Sequence, residues 1–266
     1  QRAGQAVLMS ERDIVNMMCE DMAKLNIELV EMQVRATGVN SVIVYFAHSP
    51  TLSDRDWKDL VQPGLEEMLS AFKAKGYEVI LHVDVMPAGG PRASLRWAYF
   101  SSLADRGLFS VFHPADSIIQ NSSGDFDLEP LRSALGKRQG IKIMVAPTSR
   151  MMETEMPLRI RERCAELYRV FSHQLILGGP CEFSEDAQVD NLRAVAEFAY
   201  APQAASSKER SRAPPVVPLI LRPIGKAIAV AAISLSIKGL ILLDKPAIRQ
   251  TFLAWAHTHQ LLIGIY

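Results

Sequence analysis

The chain has 266 residues, 48% of them apolar, enough for one large core or two small ones. Its 29 basic and 29 acidic side chains cancel, which argues against a general nucleic-acid footprint and against intrinsic disorder. Three cysteines (Cys19, Cys164 and Cys181) are too few and too far apart for a disulfide framework, so a reducing, cytoplasmic setting is expected.

The opening residues, QRAGQAVLMS, hold no long apolar run of the signal-peptide kind, and the start without Met reads as a processed or trimmed piece. Ser10 and Asp13 then stand in capping-box spacing before a helix, with Ile14, Met17, Met18, Met22, Leu25 and Leu29 expected on its apolar face. VNSVIVYF (39–46) is a short β-branched run and reads as a buried strand. In the next helix Ser53 and Asp56 form the cap. Trp57, Leu60, Val61, Leu65, Met68, Leu69 and Phe72 share a face, and Gly76 is the stop. Strands follow at 77–83, 108–113, 141–146 and 174–179. A helix ending near Gly107, one through Ile160, Cys164, Leu167 and Phe171, and one through Val189, Leu192, Val195 and Ala199 separate them.

Strand starts recur roughly every 32–37 residues, the size of a βα unit. Five such units with near-continuous apolar strands imply a parallel sheet covered by helices, either an α/β barrel or an open doubly wound sheet. No G-x-G-x-x-G follows a strand, so the dinucleotide-binding version of the open sheet loses support. Residues 1–200 form this unit, 201–215 (APQAASSKERSRAPP) read as a linker, and 216–266 form an apolar tail. The tail supplies two or three further strands and a helix capped by Asp244. Arg222, Lys226 and Lys238, with Pro218 and Pro223, interrupt it, whereas a membrane span needs about 20 nearly uncharged residues.

Two stretches go beyond a generic βα reading: LSDRDWKDLVQPGLEEMLSAFKAKGYEVILHV (52–83) and LILGGPCEFSEDAQVDNLRAVAEFA (175–199). In this order and spacing they resemble the uroporphyrinogen decarboxylase superfamily, which also contains the zinc-dependent corrinoid and thiol methyltransferases. Gln62-Pro63 in the helix start, His82 in the "vilH" strand and Asn191-Leu192 in the C-terminal element carry the likeness. It covers roughly residues 10–200, the C-terminal two thirds of a family domain, and implies a (β/α)8 TIM-type barrel. The segment AIAVAAISLSIKGLILLDKPAIRQTFLAWA more weakly resembles the family part that precedes the helix at 11–37. On that reading the barrel is incomplete or rearranged at its N-terminal third; a tail of other origin is the alternative.

The methyltransferase branch of that superfamily carries His-x-Cys after this strand and a cysteine near the end of the barrel, together holding zinc. Here His82-Val83-Asp84 and Gly179-Pro180-Cys181-Glu182 occupy those places, with Asp84 where the first cysteine stands. The resemblance therefore implies a metal set of His82, Asp84 and Cys181, with zinc binding a substrate thiol as thiolate. A harder carboxylate in place of a thiolate lowers the fit to zinc. The methyl donor would be a corrinoid carried by a partner protein, with a small-molecule thiol as acceptor. Assembly as a homo-oligomer is compatible with this reading. A metal-free decarboxylase acting on a tetrapyrrole carboxylate is the runner-up, although GGPCEF lacks the decarboxylase-type histidine and no arginine-rich segment stands near residue 1. The third reading is a degenerate, non-catalytic relative.

Other polar groups follow strands. Glu182 is a candidate to orient His82, and His48 (YFAHSP) a candidate to line the mouth; these two are the catalytic candidates. His113, with Asp116 close by, is placed similarly, and Arg150 could meet an anionic group, although it also reads as a solvated surface arginine. Cys19 and Cys164 sit on helix faces as core residues. His257 and His259 are two apart on a helix and cannot face each other. SRMMETEM reads as adaptable packing.

Overall fold

The computed structural model describes residues 12–47, 52–87, 90–121, 123–180 and 185–200, and the backbone of 229–234. The linker 201–215, the rest of the tail and Ser10 lie outside the described residues.

Helix α1 (Arg12–Thr37) leads to strand β1 (Ser41–Ala47). A short helix α2 (Asp54–Asp56) continues through a π-helical turn, Trp57–Val61, into α3 (Gln62–Ala74) and β2 (Glu78–Val83). Then come α4 (Gly90–Asp105), β3 (Val111–Pro114), α5 (Asp116–Ile119), α6 (Glu129–Leu135) and β4 (Lys142–Val145). The remainder is α7 (Ser149–Thr154), α8 (Pro157–Phe171), β5 (Leu175–Leu177), α9 (Val189–Tyr200) and β6 (Ala229–Ser234).

The capping expectation at Ser53 holds. Its hydroxyl accepts from the Asp56 N–H at 3.0 Å and donates to the Asp56 carboxylate at 2.6 Å. Trp57, Leu60, Val61, Leu65, Met68, Leu69 and Phe72 are all buried, and Gly76 ends the helix at φ +71°. The π turn in the middle was not expected. It widens the backbone where the Arg96 guanidinium lies 3.8 Å over the Trp57 ring and reaches Asp54 at 3.3 Å. That contact pins the start of α2 to α4.

Two helix faces differ from the pattern read in the sequence. On α1 the buried stripe is Cys19, Ala23, Asn26 and Val30, and Ile14 and Met17 are exposed. Small residues win here because α1 packs close to α3. A Cβ on Gly64 would stand 3.5 Å from Ala23 Cβ and 3.7 Å from the Cys19 carbonyl. On α9 the inner face is Asn191, Ala194 and Phe198, with Val189 and Leu192 outside. Asn191 is fully buried because its Nδ2 donates to the carbonyls of Met152 (2.9 Å) and Glu155 (2.8 Å) at the end of α7.

The six strands form one parallel sheet in the order β5-β4-β3-β2-β1-β6. From β1 to β5 each strand adds on the same side of its predecessor. Crossovers of one hand then place all the intervening helices on one face. Burial agrees: Val42, Val44, Phe46, Val79, Leu81, Val83, Phe112, Ile143 and Val145 share one core with Leu69, Phe72, Phe100, Leu103, Leu131 and Phe171. Only β6 departs from this one-way order, returning to the other side of β1. The alternate residues Ile43, Tyr45, Ile80, His82, Val111, His113 and Met144 point to the other face. β6 pairs with the free edge of β1, from Val42↔Ala229 to Ala47↔Ser234. No helix among the described residues is long and apolar enough to cross a membrane.

A second, smaller core joins α7, α8 and α9 through Met151, Met152, Ile160, Cys164, Ala194 and Phe198. Met151 and Met152 of the methionine run therefore pack as expected, whereas Met156 is exposed. Cys19 and Cys164 are buried free thiols; burial raises both, Cys164 up to about 12.

Candidate functional site at the carboxyl ends of the strands

The face opposite these helices carries one row of rings. In register, Tyr45 of β1 stands opposite His82 of β2, and His82 opposite His113 of β3. Each lies in the C-terminal half of its strand, the end of a parallel α/β sheet where chemistry collects. Neighbouring strands are about 4.8 Å apart, so three aligned rings must touch. The Tyr45 and His82 rings are 4.5 Å apart at 32°, and those of His82 and His113 4.6 Å apart at 56°.

The two imidazoles meet edge-on, Nδ1 to Nδ1, at 3.1 Å. Burial holds His82 down to about 3, and the neighbouring His113 charge adds to that; a hydrogen bond to the His113 backbone opposes it. Burial also lowers His113, against a hydrogen bond to the Gly179 backbone and the nearby Asp116 carboxylate. At neutral pH both rings are therefore uncharged, the form that binds a metal ion. Two nitrogens each 2.0–2.1 Å from one tetrahedral zinc stand about 3.3 Å apart. The observed separation fits that arrangement, and it equally suits a proton shared between the rings. Among the described residues no three His, Cys, Asp or Glu side chains converge as a complete ligand set.

Of the residues singled out in the sequence, His82 lies at the centre of this row. Asp84 follows the end of β2; its backbone N–H donates to the Phe46 carbonyl at 3.0 Å, and its own carbonyl accepts from the Ser117 hydroxyl at 3.5 Å. His48, Cys181 and Glu182 lie outside the described residues. The hydrogen bond from His113 to Gly179 brings the backbone two positions before Cys181 to the imidazole pair. Asp116 is committed elsewhere in part, since its Oδ2 accepts from the Ser149 N–H at 2.6 Å and so supports the start of α7. Arg150 is exposed and lies over the turn at Gly124, not in the row.

The partnership of His82 with His113 is the feature the sequence reading missed. The signal was present: EVILH and SVFH place a histidine late in two consecutive parallel strands. Consecutive strands pair, so residues at matching depth become neighbours.

No known protein-family model matches the chain, and no curated protein matches it.

Proposed function

We propose that the chain is a zinc-dependent, methyltransferase-like enzyme of the kind found in the uroporphyrinogen decarboxylase superfamily, passing a methyl group between a corrinoid or related donor and a thiol. The observation that carries this reading is the contact of two uncharged imidazoles, the buried His82 and the half-buried His113, at the carboxyl ends of β2 and β3. The finer architecture we assign is a (β/α)8 barrel, with the face opposite the described helices as its interior. The one-way order of β1 to β5 supports it, as does β6 on the β1 edge, where a strand preceding α1 would run.

His82 would hold the ion, with Asp84 and Cys181 as the further ligands expected from the resemblance. A bound zinc would keep a thiol substrate as thiolate at neutral pH. Tyr45 packs on His82 and fixes its ring plane, while burial keeps the ring neutral, with one nitrogen lone pair free to bind an ion. Glu182 and His48 would act beside the ion as orienting and lining groups. The corrinoid would arrive on a partner protein.

Zinc content of the purified chain tests the proposal. About one zinc per chain, lost in Cys181→Ala, is the expected result. Metal-free protein that binds a porphyrin would overturn it in favour of the decarboxylase, and protein that binds neither would point to a non-catalytic relative.

A further inference from the structure

We infer that His113, not Asp84, is the partner of His82 in holding the metal ion. This rests on the metal reading above and changes its ligand set. The two Nδ1 atoms are already 3.1 Å apart on adjacent, hydrogen-bonded strands, in direct register. Strand backbone is the stiffest support the fold offers, so both donors are held before any ion arrives. Asp84, in contrast, stands beyond the last residue of β2 and does not join the two histidines in a three-donor cluster among the described residues.

His113 also has the second contact that a ligating histidine uses to fix its ring, here a hydrogen bond to the Gly179 backbone. Tyr45 stacked on the far side of His82 does the same for that ring by packing. The pair is uncharged without metal, one Nδ1–H donating to the other Nδ1 lone pair. For both Nδ1 atoms to hold an ion, that hydrogen would stand on Nε2 of the same ring, leaving each Nδ1 lone pair for the metal. This change of tautomer would release no net proton. Two imidazole donors suit zinc, cobalt and nickel rather than magnesium or calcium.

The test uses the full chain, with Co2+ as a visible-absorption probe and Zn2+ as competitor. Circular dichroism checks that each variant is folded. Wild type should take up one Co2+ per chain. His113→Ala, and the closer-sized His113→Gln, should weaken binding by roughly tenfold or more and alter the absorption bands. Asp84→Asn should bind within about threefold of wild type. In the proton spectrum of the Co2+ form, His113→Gln should lose one set of strongly shifted ring signals. Wild-type affinity and spectra in both His113 variants would overturn the inference; if Asp84→Asn then fails to bind, the metal reading survives with Asp84 as ligand. A wild-type chain that takes up neither ion would instead overturn the metal reading itself.

Discussion

Replacing Asn191 by alanine should cost about 2–3 kcal/mol of stability. The side chain is fully buried, and its Nδ2 donates both hydrogens, to the Met152 carbonyl at 2.9 Å and the Glu155 carbonyl at 2.8 Å. Each such bond is worth about 1 kcal/mol net, and an orphaned buried acceptor costs about 1–3 kcal/mol more. The orphan cost applies only in part. Met152 still accepts from the Gln188 N–H at 3.2 Å, and the bond to Glu155 is only partly buried, within reach of water. At about 2–4 °C per kcal/mol for a chain of this size, the Tm should fall by roughly 4–12 °C. Thermal melting followed by circular dichroism, with urea unfolding beside it, measures the loss. Asn191→Leu fills the volume and should lose the two bonds without a cavity. Asn191→Asp aims a carboxylate at two carbonyls, so it should be worse at neutral pH and recover as acid protonates it. A loss below about 0.5 kcal/mol in Asn191→Ala, or an Asp variant that weakens further in acid, would refute the clamp. Metal affinity should be unchanged in Asn191→Ala, since the residue holds α9 to α7 rather than touching the histidine row.

Ser53→Ala should remove a helix cap worth about 1 kcal/mol. The Ser53 hydroxyl, and after it Arg12, holds the Asp56 carboxyl below its ordinary 3.8; the stability this gives is present above that value and is lost as pH falls through the lowered one, so Ser53→Ala should flatten the acid limb of the Tm–pH curve. Cys19 and Cys164 should resist iodoacetamide at pH 8 in the native protein and react once it is unfolded in urea; rapid native labelling of Cys164, whose thiol burial pushes up to about 12, would contradict its place in the core.

Periodicity revealed the βα alternation because strand and helix patterns differ in period and length, and the Ser53 cap and Gly76 stop bracketed one helix closely. It failed where burial is not decided by apolarity. Ala23 faces inward because it is small enough for close helix contact, and Asn191 because two carbonyls need donors. Helix α6 escaped notice although Pro130 at its first turn and the Leu131–Leu135 pair mark it. At the site, His82 was singled out from its place at a strand end, but its contact with His113 depends on inter-strand register. Register emerges only when the strands pair, and a one-residue slip would have turned one ring to the helical face. Composition does not separate barrel-type from doubly wound order either, because both use the same βα units.

The seating of β6 beside β1 carries a cost in time. Val42 finds Ala229 about 190 residues later in the chain. At ribosomal speeds of about 5–20 residues per second, the rim of β1 waits roughly 10–40 s for its neighbour to be made. Through that interval an open row of N–H and C=O groups invites other nascent chains, so synthesis rate and chaperone supply should govern the yield of this protein more than its final stability does.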